Sequence, residues 1–397
     1  MPGMDVFGAE ERHEVNQVLD TTCLFRYNHE HLRNNHWKAM EFEAEVKAFT
    51  GAKFAHAVSS GSTAVATAMA AAGLGFGDEI IVPPFTYIAT IEGVLLGGGL
   101  PVFAEVDDNL CLTAQSIEQA LSPKTKAVML VHMCGASANM DEILAVCQKH
   151  HLVLLEDAGQ ALGAFYKNKS VGLFGVAGAY SFDFFKIATC GEGGVCVTNN
   201  EDVYNIFHQF SDHGHSHIGN NRGMESHPII GTNYRISELH AAVGLAQMRK
   251  IHEVRSANRH NKAFLKNQIQ NALPDIGFRP MPDAEGDSAT FLNFFLPNQA
   301  LALKAVQHLA EAGIGVNYWF TNMYHFINQW DHLKNLKSPF KMAIHHLGAP
   351  QDYQNLQLPQ SQHSIGRLIS LGIKANWKQD ELEQISNKMI DALRKSI

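Results

Sequence analysis

Over the first 200 residues, short β-rich apolar runs alternate with segments of helical spacing, and no other feature constrains the fold of this chain so tightly. Strands buried on both faces read as near-continuous apolar runs, and the crossovers between them show a helical stripe. The pattern therefore predicts a mostly parallel sheet covered by helices on both sides. Runs at 54–58, 79–82, 101–105, 127–132, 153–156, 179–184 and 195–198 predict seven strands of one sheet. Helices are predicted between them at 62–73, 88–97, 116–121, 140–150 and 201–210, with Gly73 and Gly97 where two of them should stop.

From 236 to about 257 the spacing of Leu239, Val243, Ala246 and Ile251 predicts one long helix bridging to a second unit. The expected organisation is a three-layer α/β/α large domain over 1–257 and a smaller α+β domain over 258–397. The smaller one carries a strand near 290–296, helices near 300–312 and 379–395, and an aromatic- and His-rich loop near 317–346.

A net charge of −8 argues against a phosphate-backbone partner, which needs a positive field, so no nucleic acid is expected. The amino terminus is charged where a secretory leader would be apolar. The longest apolar stretches are short or broken by Pro83, Pro84 and Glu92. A cytoplasmic protein without a membrane span is predicted. Six scattered cysteines with no CxxC pair read as reduced, mostly buried thiols.

Four motifs fall at strand ends, where ligands of open α/β sheets collect. SSGST places Gly61, Ser62 and Thr63 at a strand-to-helix turn, where amides and hydroxyls can hold a phosphate, although an ordinary helix cap reads the same way. LLEDAGQ ends an apolar strand in two carboxylates that need partners if buried, and Asp157 is placed for a cationic one. A pyridinium about 4 Å away would gain roughly 4 kcal/mol, enough to stay protonated as an electron sink. SFDFFKIATCGEGG sets Lys186 among apolar residues, which lower an amine's pKa and make it a nucleophile and a base. GTNYRISELH offers Asn233 and Arg235 just before the long helix.

Taken together these blocks, with GDEIIVPPFTYIAT, VHMCGASANMDEI and LPQSQHSIGRLISLGI in the same order, resemble the DegT/StrS family of sugar aminotransferases. The resemblance implies an aspartate-aminotransferase-like fold and a pyridoxal 5′-phosphate cofactor carried on Lys186 as an imine. It implies that Asp157 pairs with the pyridine nitrogen, Gln160 with the phenolic oxygen, and Tyr87 with the ring face, while Gly61, Ser62 and Ser181 hold the phosphate. Asn233 matches a residue reaching the phosphate from a neighbouring subunit, which implies a homodimer with shared active sites. Retention of lysine at 186 implies transamination rather than the dehydration run by histidine-bearing variants.

Within the family, FRYNHEHLRNNHW, DHGH and GRLISLGIKANW look most like the 8-amino-3,8-dideoxy-manno-octulosonate aminotransferases. That likeness implies amination at carbon 8 of an oxidised octulosonate, with glutamate as donor, in lipopolysaccharide sugar synthesis. The substrate's carboxylate would call for cationic groups, for which Arg26, Arg33 and Arg235 are candidates. His213 and His215 are expected to meet substrate hydroxyls. DHGHSH lacks a second ligand set at a structural-zinc distance, so no metal is expected. A nucleotide-linked keto-sugar substrate and a non-catalytic cofactor-binding scaffold are the competing readings.

Overall fold

A computed structural model describes residues 3–219 and 221–397. Seven strands form the main sheet: β1 (Phe54–Val58), β2 (Glu79–Val82), β3 (Leu100–Phe103), β4 (Thr125–Val131), β5 (Val153–Asp157), β6 (Ala177–Ser181) and β7 (Gly194–Thr198). Their order is β1-β7-β6-β5-β4-β2-β3. Only β7 runs against its neighbours β1 and β6, and the other pairs are parallel. Six strands therefore end at the same edge, so the turns after β1, β5 and β6 face one another.

Alternation along each strand explains why both faces must be covered. Ala127 and Met129 of β4 enter one apolar cluster, while Val128 and Leu130 enter another. On β7, Cys196 and its flanking Val195 and Val197 divide in the same way. All six cysteines are buried free thiols.

A second, three-stranded antiparallel sheet joins β8 (Gly277–Phe278), β9 (Phe291–Phe295) and β10 (Leu368–Gly372) in that order. Leu292, Phe294, Ile369 and Leu371 pack on Leu265, Leu309 and Met389 from three helices, Ile251–Ala272, Gln299–Glu311 and Gln379–Arg394. Phe291 and Phe295 face the other way and enter the core around the main sheet.

The long bridging helix is a correction. Helices Glu238–Arg249 and Ile251–Ala272 meet at Lys250, and the second runs fifteen residues beyond the predicted end at 257. Lys250 turns its ammonium to the carbonyl of Val6 at 2.8 Å and to the Glu11 carboxylate, which ties the junction to the amino-terminal segment. The extension was hard to see because Leu265 and Ile269, its fully buried apolar residues, stand in a largely polar stretch. Helices Ala9–Thr21 and Lys38–Thr50 were also missed. They are fastened by charge as well as by apolar contact: the buried Lys38 ammonium bonds Glu14 at 2.6 Å, and Arg249 bonds the same carboxylate at 2.6 Å.

Candidate active site

A cavity of about 750 Å³ opens at the shared carboxyl edge of the sheet. Its wall includes Gly61, Ser62, Tyr87, Asp157, Gln160, Ser181 and Lys186, so seven of the residues singled out in the sequence meet around one space.

The floor begins at the helix Gly61–Ala71, which starts one residue before its predicted position and is capped by Ser60. The Ser60 hydroxyl accepts from Thr63 N at 3.1 Å, and Thr63 Oγ1 accepts from Ser60 N at 2.9 Å. Thr63 is thus engaged in the cap. The amides of Gly61 and Ser62 lie in the first turn, where no intrahelical acceptor exists, and no described residue bonds them. A Cβ on Gly61 would come within 2.7 Å of Ser181 Oγ, so only glycine lets this hydroxyl approach the helix end. Two free amides, a hydroxyl and the helix dipole make an anion seat.

The two carboxylates at the end of β5 do different work because successive strand residues face opposite ways. Glu156 is buried away from the cavity and accepts from the amides of Gly172, Phe174 and Gly175 at 2.6–2.7 Å. It also meets His132 Nε2 at 2.9 Å, and His132 Nδ1 accepts from Ala138 N at 3.3 Å, which assigns the imidazole proton to Nε2. Asp157 faces the cavity. Its Oδ1 accepts from Gly159 N at 2.9 Å and its Oδ2 from Thr90 Oγ1 at 2.6 Å, and the Thr90 hydroxyl is itself 2.7 Å from Thr86 Oγ1. Thr86 and Thr90 were not anticipated, although their i, i+4 spacing in PFTYIAT, where a helix opens, is a readable signal.

Lys186 follows Asp183 across a tight turn, its amide donating to Asp183 O at 3.0 Å. Burial lowers its pKa, against the pull of Asp183 and Asp157, and so raises the share of neutral amine. Gln160 accepts from Cys134 N at 3.2 Å through Oε1, which leaves Nε2 as its donor. Tyr87 is 44% exposed, with its ring 5.4 Å from that of His325. The backbone of the Tyr87 loop is zipped to the segment carrying His325: Thr86 N donates to His325 O at 3.0 Å and Ile88 N to Tyr324 O at 2.9 Å. Trp319, Asn322, Tyr324 and His325 therefore complete the wall from the second sheet's side. The sequence marked this loop only as aromatic and His-rich.

The remaining candidates lie outside the cavity. Arg26 is buried, donating to Ala57 O at 2.6 Å and to Glu43 Oε1 at 2.7 Å. Arg33 is buried against the carbonyls of Asn28 and Phe25, with its guanidinium 3.8 Å from the Trp37 ring centre. Both brace their own chain. Arg235 bonds Asp212 at 2.5 Å, sharing that buried carboxylate with Arg222. His215 lies 3.2 Å from Glu225, while His213 and Asn233 are exposed on the same segment.

Residues 8–390 match the model of the DegT/DnrJ/EryC1/StrS aminotransferase family. GDP-perosamine synthase of Caulobacter vibrioides is 38% identical over 251 residues, 62% of this chain and 63% of that protein. The spore coat polysaccharide biosynthesis protein SpsC of Bacillus subtilis is 36% identical over 273 residues, 66% and 68% of the two chains. The aminotransferase structure from Psychrobacter cryohalolentis superposes with a TM-score of 0.84 at 25% identity, covering 98% of each chain. The fold is thus that of known aminotransferases along the whole chain.

Proposed function

The chain belongs to the DegT/DnrJ/EryC1/StrS aminotransferase family, and we propose that it uses pyridoxal 5′-phosphate to move an amino group from L-glutamate to an oxidised sugar. The observation that carries this reading is the meeting of a lysine whose pKa is lowered by burial, a doubly bonded aspartate and a helix-end anion seat around one cavity.

The residues fit the cofactor group by group. Gly61, Ser62 and Ser181 suit its phosphate, Asp157 its ring nitrogen, Gln160 Nε2 its phenolic oxygen and Tyr87 its ring face. When bound, the cofactor supplies a carbonyl that condenses with amines and a cationic ring that accepts electron density. Lys186 contributes an amine nucleophile, and the same Nζ then takes the proton from the donor's α-carbon. Asp157 holds its charge in one orientation, because each oxygen has its own donor. Glutamate and the sugar use the site in turn, and the apolar wall of Val65, Val131 and Phe291 limits water there.

For the sugar we favour the carbon-8 aldehyde of 3-deoxy-manno-octulosonate, in lipopolysaccharide synthesis in the cytoplasm. The cavity of one chain presents Asn317 and Tyr324 for hydroxyls, and no arginine among the described residues lines it. A substrate carboxylate would accordingly be met by a second copy of the chain. Ile230, Met224 and Ile218 are 95, 81 and 79% exposed on the segment that also carries Asn233, and a homodimer would cover them. A nucleotide-linked keto-sugar is the second reading, favoured by the likeness to GDP-perosamine synthase. The test incubates purified protein with glutamate and either substrate, and identifies product by mass spectrometry. An aminated octulosonate supports the first reading, an aminated nucleotide sugar the second. Failure of glutamate to alter the cofactor's absorbance would refute both.

A further inference from the structure

The wall of the cavity contains a hydrogen-bond acceptor that the roles assigned above leave unused. His325 Nδ1 lies 2.8 Å from Asn322 Oδ1, and the same Oδ1 accepts from the Tyr324 amide at 3.0 Å. An atom that accepts from an amide is the oxygen of that side chain, so the imidazole must donate to it, and the proton of the neutral ring resides on Nδ1. Nε2 is then a bare lone pair. Nothing among the described residues bonds it, and His325 borders the open cavity.

The ring is held in place from two sides. Trp319 packs edge-on with ring centres 4.7 Å apart, and Tyr87 lies at 5.4 Å. The His325 carbonyl is fixed by the Thr86 amide at 3.0 Å, so the backbone cannot swing away. Burial pushes the pKa of His325 down to about 3. The imidazole consequently stays neutral at physiological pH, and Nε2 does not become a donor. An acceptor walled by aromatic rings gains from a ligand that brings a donor, and hydroxyl groups are the donors a sugar has in abundance.

Resting on the reading of the site as a sugar aminotransferase, we infer that His325 Nε2 recognises a hydroxyl of the sugar and is a specificity-determining residue for the acceptor half of the reaction. Glutamate has no hydroxyl, so its half-reaction does not need this contact. The proposal thus separates the two substrates that share one cavity.

The test uses holoenzyme and follows each half-reaction by the cofactor's absorbance. His325→Phe keeps a ring against Trp319 and Tyr87 but has no lone pair. The expected result is a rise in KM for the sugar of about tenfold, the worth of one ligand hydrogen bond, with the glutamate half-reaction changed less than about twofold. His325→Gln restores an acceptor near the Nε2 position and should recover most of the sugar affinity. Should His325→Phe fail to fold, Asn322→Leu tests the same point, since it frees the ring to exchange its tautomer and should weaken the sugar step alone. An unchanged KM for the sugar overturns the proposal, as does an equal loss in both half-reactions. Wild-type protein unable to react with glutamate would instead sink the aminotransferase reading on which this rests.

Discussion

Replacing Thr90 by valine tests whether the orientation of Asp157 matters. Valine keeps the shape of threonine and removes one hydroxyl, which is buried and donates to Asp157 Oδ2 at 2.6 Å. A hydrogen bond to a charged group contributes about 1.5–3 kcal/mol. The carboxylate keeps its bond from Gly159 N at 2.9 Å, so it remains in the cavity but can turn about that single anchor. Misplacing a charge by about an ångström costs on the order of 100-fold in rate. Thr90→Val should therefore lower the rate of proton transfer about 10–100-fold in a stopped-flow glutamate half-reaction, with cofactor still bound. Thr86 provides a graded control, because its hydroxyl reaches Thr90 at 2.7 Å and does not touch Asp157. Thr86→Val loses only a neutral bond of about 1 kcal/mol and should slow the step by less than about tenfold. A Thr90→Val rate within about twofold of wild type would refute the orientation argument.

Lys186→Met should abolish both half-reactions and the bound cofactor's visible absorbance. Because burial lowers the lysine's pKa, the unfolded chain binds the extra proton below the ordinary value of 10.5. Apoprotein stability should accordingly rise with pH toward 10.5, and this dependence should vanish in Lys186→Met when both are melted across that range. Glu238 is raised from 4.5 to about 7 by burial, against the nearby Arg33. The folded chain thus holds its proton where the unfolded chain has lost it, and stability is forfeited as pH climbs from 4.5 to 7. Glu238→Gln should flatten that slope in thermal melts, and parallel curves for the two proteins would count against it. Arg26→Met strands the buried Glu43 carboxylate and should cost about 3–5 kcal/mol of stability without altering KM for either substrate. A raised sugar KM at unchanged melting temperature would return Arg26 to substrate recognition.

These outcomes separate what local sequence can convey from what only the folded chain decides. The seven strands were legible because each is buried on both faces and each is bounded by turn residues. Gly61, Asp157, Ser181 and Lys186 were legible because each lies within a few residues of a strand end, so the sheet alone carries them to one edge. The division of labour between Glu156 and Asp157 was readable in principle, since adjacent residues of a strand must face opposite ways. The bracing contacts of the arginines were not legible, because charge is visible in a sequence and burial is not. Arg26 sits in an irregular stretch, and its partners Ala57 and Glu43 come from elements that only tertiary packing brings to it. His325 lay beyond reach for the same reason: it belongs to a segment without regular periodicity, placed by the pairing of Phe85 with Phe326 across the junction. Positions fixed by strand ends could be named from the sequence, whereas those fixed by loop-to-loop pairing required the fold. If His325 selects the sugar as argued, specificity in this protein resides in the part of the site that sequence periodicity describes least, while the shared chemistry resides in the part it describes best.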